Sequence, residues 1–173
     1  MPRVTFDQLP DDARLWAFAA SAEMDQDAES DLLARVDSFL DGWNAHGHPL
    51  VGAREWREGR FLFVAVDERS APPSGCSIDA LHRALKEFEE VRGVGLTDHI
   101  DVVFRGVDGA VLREARPAFA RLAKAGEVGL DTVVFDTTIT RKDEMAHRFE
   151  VPARDAWHRR AFWRGAVAQG PVG

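Results

Sequence analysis

Two unbroken apolar runs dominate the pattern of the chain, Leu15 to Ala20 and Phe61 to Val66. Runs of that length without polar alternation predict strands buried on both faces. After the first run, Leu32, Val36, Phe39, Leu40 and Trp43 recur at helical spacing, with Leu33 widening the stripe. They predict a helix over 28–46. Gly47 is the expected C-terminal glycine of that helix, and Pro49 bars its continuation. Leu50 to Trp56 is polar and arginine-containing, which suits an edge strand, and Glu58-Gly59 supplies the turn into Phe61 to Val66. Ile78, Leu81, Leu85 and Phe88 mark one face of a second helix over 77–92, ended by Gly93 and Gly95. Ile100 to Phe104 reads as a further strand, and Asp108-Gly109 as a hairpin turn into Ala110 to Arg113.

The order strand, helix, strand, strand, helix, strand predicts an α+β fold, a ferredoxin-like βαββαβ sandwich over 12–106. Residues 107–173 then form a C-terminal α/β extension packed on the core. In that extension Pro117 opens a short helix closed by Gly126, and Thr132 to Phe135 is a strand. Residues 137–150 read as loop, and Val151-Pro152 leads to a helical stretch with Trp157, Phe162 and Trp163. The two apolar strands are expected as parallel, central neighbours. Because neither alternates, the second sheet face needs a cover, either residues after 115 or a second copy of the chain in a homodimer.

Composition narrows the class. The 173 residues are 45% hydrophobic and 29% charged, an ordinary globular balance. No apolar run approaches the roughly 20 residues of a membrane span, so no membrane partner is expected. The first residues show no signal-peptide pattern. With the single cysteine, Cys76, no internal disulfide can form, and the expected setting is cytoplasmic. The net charge of −7 disfavours nucleic acid as a partner.

Ser74-Gly75-Cys76-Ser77-Ile78-Asp79 lies between an apolar strand and a helix start. Unpaired amides there favour anions and lower a thiol's pKa. One reading makes Cys76 a catalytic thiolate, with Ser77 and backbone amides holding a small anionic ligand and Gly75, Ser77 and Asp79 as the ligand-binding candidates, the Asp79 charge opposing the thiolate. The other makes a serine the helix cap and Cys76 a small buried hydrophobe. A nucleophilic cysteine usually works with a histidine. The parallel topology places His46, His48 and His99 at the opposite edge of the sheet and turns His82 away. His147 and His158 remain, and Trp157, His158 and Arg159 are the ligand-binding candidates of the extension. His46-Gly47-His48 with His99 and Asp98 or Asp101 matches no strong zinc spacing, so no metal is expected. The tryptophans read as core or interface anchors. No phosphate-cradling Gly-x-x-x-x-Gly-Lys-Ser/Thr, no Gly-x-Gly-x-x-Gly after a strand and no Gly-x-Ser-x-Gly elbow occurs, and no cofactor is expected.

Several segments together carry a family resemblance: Leu9-Pro10 with Trp16, Phe39 and Trp43 with His46-Gly47, Arg60-Phe61 through Asp67, Gly75 to Asp79, Phe135-Asp136-Thr137, and Trp157-His158-Arg159. Over nearly its whole length the chain resembles a family of small uncharacterised proteins of the Bacteroidetes and relatives, often automatically named "ABC transporter ATPase". Residues 104–157, through Phe119 to Val128 and Asp131 to Phe135, look like the helix-turn-strand core of GYF-like domains. That second resemblance implies binding of proline-rich peptides through aromatics.

The leading expectation is a non-enzymatic binding or interaction protein, with a partner protein or a small anionic ligand. The alternative is a small thiol-dependent enzyme or redox sensor using Cys76. Lacking a phosphate loop, the purified chain is expected to release no inorganic phosphate from ATP. Turnover that survives repurification and disappears on substitution of one named residue would refute this.

Overall fold

The computed structural model describes residues 4–165, which divide into two compact units. The first runs up to His99 and regains Thr137–Glu144; the second comprises Ile100–Asp136 and the chain from Met145 onward. The elements in chain order are β1 (Arg14–Ala19), α1 (Gln26–Gly42), β2 (Asn44–Ala45), β3 (His48–Pro49), β4 (Val51–Arg57), β5 (Phe61–Asp67), α2 (Gly75–Arg92), β6 (Val102–Arg105), β7 (Val111–Glu114), α3 (Arg116–Ala125), β8 (Val133–Phe135), β9 (Glu150–Pro152) and α4 (His158–Phe162). The α+β class stands.

In the first unit, the sheet order is β1-β5-β4. β5 is antiparallel to both neighbours, pairing Trp16 with Val64 and Arg54 with Val64 on its two sides. The two apolar strands are thus adjacent but antiparallel, not parallel, and β1 is an edge of this sheet rather than a central strand. The reason is connectivity. The α1 crossover returns the chain so that β4 runs the same way as β1, and the Glu58-Gly59 turn, both residues at positive φ, then reverses β5 against both. The expected fourth strand of the sandwich is absent from the sheet: β6 pairs with β7 and β8 in the second unit instead.

α1 buries Ala28, Leu32, Val36 and Leu40, and α2 buries Ser77, Leu81, Leu85 and Phe88. With a spacing of three or four residues these form one stripe per helix. Both stripes pack with Phe18, Leu62, Val64 and Val66 in a single core. Asp25 caps α1, its carboxylate accepting from the Ala28 amide at 2.8 Å. Gly93, at φ 68°, ends α2 in the left-handed conformation. Arg92 reaches Asp31 at 2.8 Å and Asp27 at 2.7 Å, joining the end of α2 to the start of α1. Arg54 of β4 makes a two-pronged pair with Asp37 of α1, at 2.7 and 2.8 Å.

The other face of the sheet carries Leu15, Ala17, Phe61, Phe63, Ala65 and Ala53, none more than 3% exposed. The 3-10 turn Phe6–Gln8 packs against β4, and Arg57 lies 5.4 Å over the Phe63 ring. Residues 139–143 flank β1: Leu15 donates to the Thr140 carbonyl, and the amides of Lys142 and Asp143 donate to Ala13 and Asp11. The face is closed within one chain, which removes the reason for expecting a second copy there.

α1 stops at Gly42, four residues before the expected end. His46 (φ 52°) and Gly47 (φ 81°) form the two-residue turn of the short β2–β3 hairpin, a turn that requires positive φ at both positions. Gly47 is therefore a hairpin glycine and not a helix cap.

In the second unit the sheet order is β7-β6-β8-β9, all antiparallel. Val102, Phe104, Phe119, Val128, Val134 and Ala153 form its core. Phe119 of α3 is the hub, with ring centroids 5.0 Å from Phe104 and 4.9 Å from Phe162. Gly126, at φ 77°, closes α3. No helix among the described residues is long and apolar enough to cross a membrane.

A Cβ placed on Gly52 of β4 would sit 3.3 Å from the Ala65 carbonyl oxygen, from Leu40 Cδ2 and from Trp43 Cε3. Gly52→Leu is expected to destabilise the first unit by about 1–3 kcal/mol through overpacking, read from the urea midpoint. An unchanged midpoint would mean that β4 and α1 are not packed this closely.

Candidate functional site

α1 runs back against β1, and α2 starts where the reversed β5 ends. The C-terminal end of α1 and the N-terminal end of α2 therefore lie side by side. Trp43, just after α1, is 2% exposed, and its indole N–H donates to the Ser77 carbonyl at 2.9 Å. Its ring meets Phe39 at 5.4 Å and Trp16 at 5.9 Å. This buried bond joins the two helix ends directly.

Between them opens a depression of about 520 Å³. Ser38, Phe39, Gly42 and Trp43 line it from α1 and its cap, Asn44 and His46 from the β2–β3 hairpin, and Ser74, Cys76, Ser77 and Ala80 from the start of α2. Ser74 is the N-cap. Its hydroxyl accepts from the Ser77 amide at 3.2 Å, and Ser77 Oγ accepts from the Ser74 amide at 2.7 Å. This reciprocal pair resembles a capping box with serine in place of the usual glutamate or glutamine. The serines are thereby engaged in holding the turn. Among the described residues nothing accepts from the amides of Gly75 and Cys76, as expected for the first turn of a helix.

Cys76 is exposed. The expectation of a small buried hydrophobe fails at this residue, because the side chain that the first turn of α2 points inward is Ser77, 4% exposed. Gly75 is exposed at the first helical position, and Asp79 is exposed on α2 without lining the depression. His46 was expected at the far edge of the sheet from Cys76 and instead lines the same depression. The expectation failed because it took β5 as parallel to β1. His99, by contrast, lies against Phe18 of β1 at 5.6 Å, and His82 meets the same ring at 5.6 Å without lining the depression. Phe39, Trp43 and Asn44 were not identified from sequence as site residues. The signal was present in the β4–β5 hairpin turn, which dictates which helix ends meet.

Trp157, His158 and Arg159 belong to the second unit. Arg159 is exposed, whereas His158 is 1% exposed and stacks on Trp157 with centroids 3.9 Å apart. Burial pushes the His158 imidazole down from 6.5 to about 4; Asp136 opposes that shift and Arg116 adds to it. Among the described residues no group of three or more His, Cys, Asp or Glu converges on a point where a metal ion could be held.

Exposure of Cys76 has a direct consequence. Iodoacetamide is expected to label it in the native protein within about tenfold of the rate of an unstructured thiol, and Cys76→Ser is expected to shift stability by no more than about 0.5 kcal/mol. Labelling that waits for denaturant would contradict the exposed placement. No protein-family model matches the chain, and no curated protein and no solved structure is significantly similar to it.

Proposed function

We propose that the chain is a small-ligand binding protein whose site is the depression between the end of α1 and the start of α2. The observation that carries this reading is the depression itself, about 520 Å³ and lined from two separate stretches of the first unit, 38–46 and 74–80. That volume falls in the range of ligand sites, and the lining mixes aromatic surface with a few polar groups. Phe39 and Trp43 offer an apolar wall, while His46, Asn44 and the unpaired Cys76 amide at the start of α2 offer donors. The ligand class that suits this set is a small anion with an apolar portion, since donors at a helix start favour negative charge.

A second reading has one observation in its favour. The exposed Cys76 and His46 line the same depression, so a thiol-dependent reaction on the bound ligand is the alternative.

The test is an NMR screen of small carboxylates and phosphate esters against the labelled chain. Binders are expected to shift the amides of Gly42 to His46 and Ser74 to Ala80, and to slow Cys76 alkylation at least tenfold at saturation. Ala80→Trp, which fills the depression, is expected to weaken binding at least tenfold with the fold intact. Shifts confined to other surfaces, or no shift with millimolar probes, would refute the site. Conversion of a bound probe that Cys76→Ser abolishes would favour the enzymatic reading.

A further inference from the structure

α4 is held on the second unit by a polar ring in an apolar setting. His158, its first residue, is 1% exposed. Its ring stacks on Trp157 at 3.9 Å and 25° and lies 6.5 Å from Phe162. Its Nδ1 is buried with no hydrogen-bond partner among the described residues. Buried ring nitrogens in native proteins are nearly always paired, so an orphaned one marks a place tolerated only while the ring is uncharged.

The charged groups around it come from each neighbouring segment. Asp136, 2% exposed, follows β8 and attracts a proton to the ring. Arg148 stands 3.7 Å from the Asp136 carboxylate and competes for it. Arg116, the first residue of α3, lies 4.8 Å over the Trp157 ring and repels a second cation beside that indole. Arg159 and Arg160, next on α4, and Arg154 and Asp155 of the preceding 3-10 turn all face water. Beyond the ring, Phe162 and Trp163 meet Phe119 at 4.9 and 6.0 Å. The contacts that seat α4 are therefore those that cover the hub of this unit's core.

We propose that His158 is an acid-sensitive latch: its neutral imidazole docks α4, and its protonation releases α4 and uncovers the aromatic face of α3 around Phe119. Burial is the main cause of the ring's low affinity for a proton, which places its titration at about 4 when docked against 6.5 when free. Above pH 6.5 both states are neutral and docking is pH-independent. As pH falls from 6.5 to about 4, only the released state takes up the proton, so docking weakens. Below about 4 both states are charged and the effect levels off. Across the whole window the equilibrium moves toward release by about 300-fold, since each pH unit is worth up to tenfold for a single proton.

The full chain is followed from pH 7.5 to 3.5 by amide exchange, normalised to intrinsic rates, and by the His158 Cε1 proton resonance. Exchange across 158–163 and at Phe119 is expected to accelerate by up to about 300-fold while β5 of the first unit stays protected. The resonance is expected to titrate well below 6.5. His158→Phe, which keeps an aromatic ring but cannot titrate, is expected to abolish the acceleration. A wild-type resonance titrating near 6.5 would overturn the latch without recourse to any variant. An identical pH dependence of exchange in wild type and His158→Phe would overturn it as well.

Discussion

Every side chain from Phe61 to Val66 is at most 1% exposed, and this two-faced burial of β5 is the constraint on which the first unit rests. One strand of alternating inward and outward side chains must be covered twice. On the helix side α1 and α2 do this with one stripe each. On the other side the 3-10 turn Phe6–Gln8 packs against β4 and Arg57 lies over the Phe63 ring, while the segment Thr137–Glu144 returns to hydrogen-bond along the edge of β1. A strand needing two covers makes the unit depend on its N-terminal segment as well as on its helices, since the hydrophobic driving force rewards any segment that removes apolar surface from water.

The same strand settles where chemistry is possible. Because β5 runs against β1 and β4, α2 begins beside the end of α1, and the Trp43–Ser77 bond seals that meeting in a buried setting. A buried indole N–H left unpaired is expensive, so Trp43 ties α1's last turn to α2's first. The depression forms just outside this seal. Ser74 and Ser77 spend their hydrogen bonds on capping α2, while the exposed thiol of Cys76 and the exposed imidazole of His46 face the depression. The second unit follows a different logic. Its aromatic core is closed by a short helix whose first side chain is an imidazole, so the stability of that closure is tied to a proton.

Much of this was legible along the chain. The apolar runs, the two helical stripes, the turns at Glu58-Gly59 and Asp108-Gly109, and the left-handed glycines Gly93 and Gly126 are encoded within a few residues of where they act. Periodicity and turn chemistry need no distant partner, so local sequence determined which segments are helix or strand and which faces are apolar. Even the left-handed turn at His46-Gly47 was visible as a glycine signal, although its service to a hairpin rather than to a helix end was not.

Pairing and direction were decided by the tertiary structure. Every strand offers the same backbone donors and acceptors, so nothing local tells Val102–Arg105 to leave the first sheet and join Val111–Glu114 and Val133–Phe135; the choice follows from which assembly buries more apolar surface. Direction followed from connectivity: a crossover and then a tight hairpin oblige β5 to oppose β1, and that single reversal moved His46 from the far edge of the sheet to the side of Cys76. Burial of individual residues was decided at the same level. Cys76 and Ser77 are neighbours in sequence and similar in size, yet the thiol faces water and the hydroxyl is buried, because the hydroxyl can hydrogen-bond the backbone of the capping turn and the rotation of α2 on the sheet leaves room for only one of them inside.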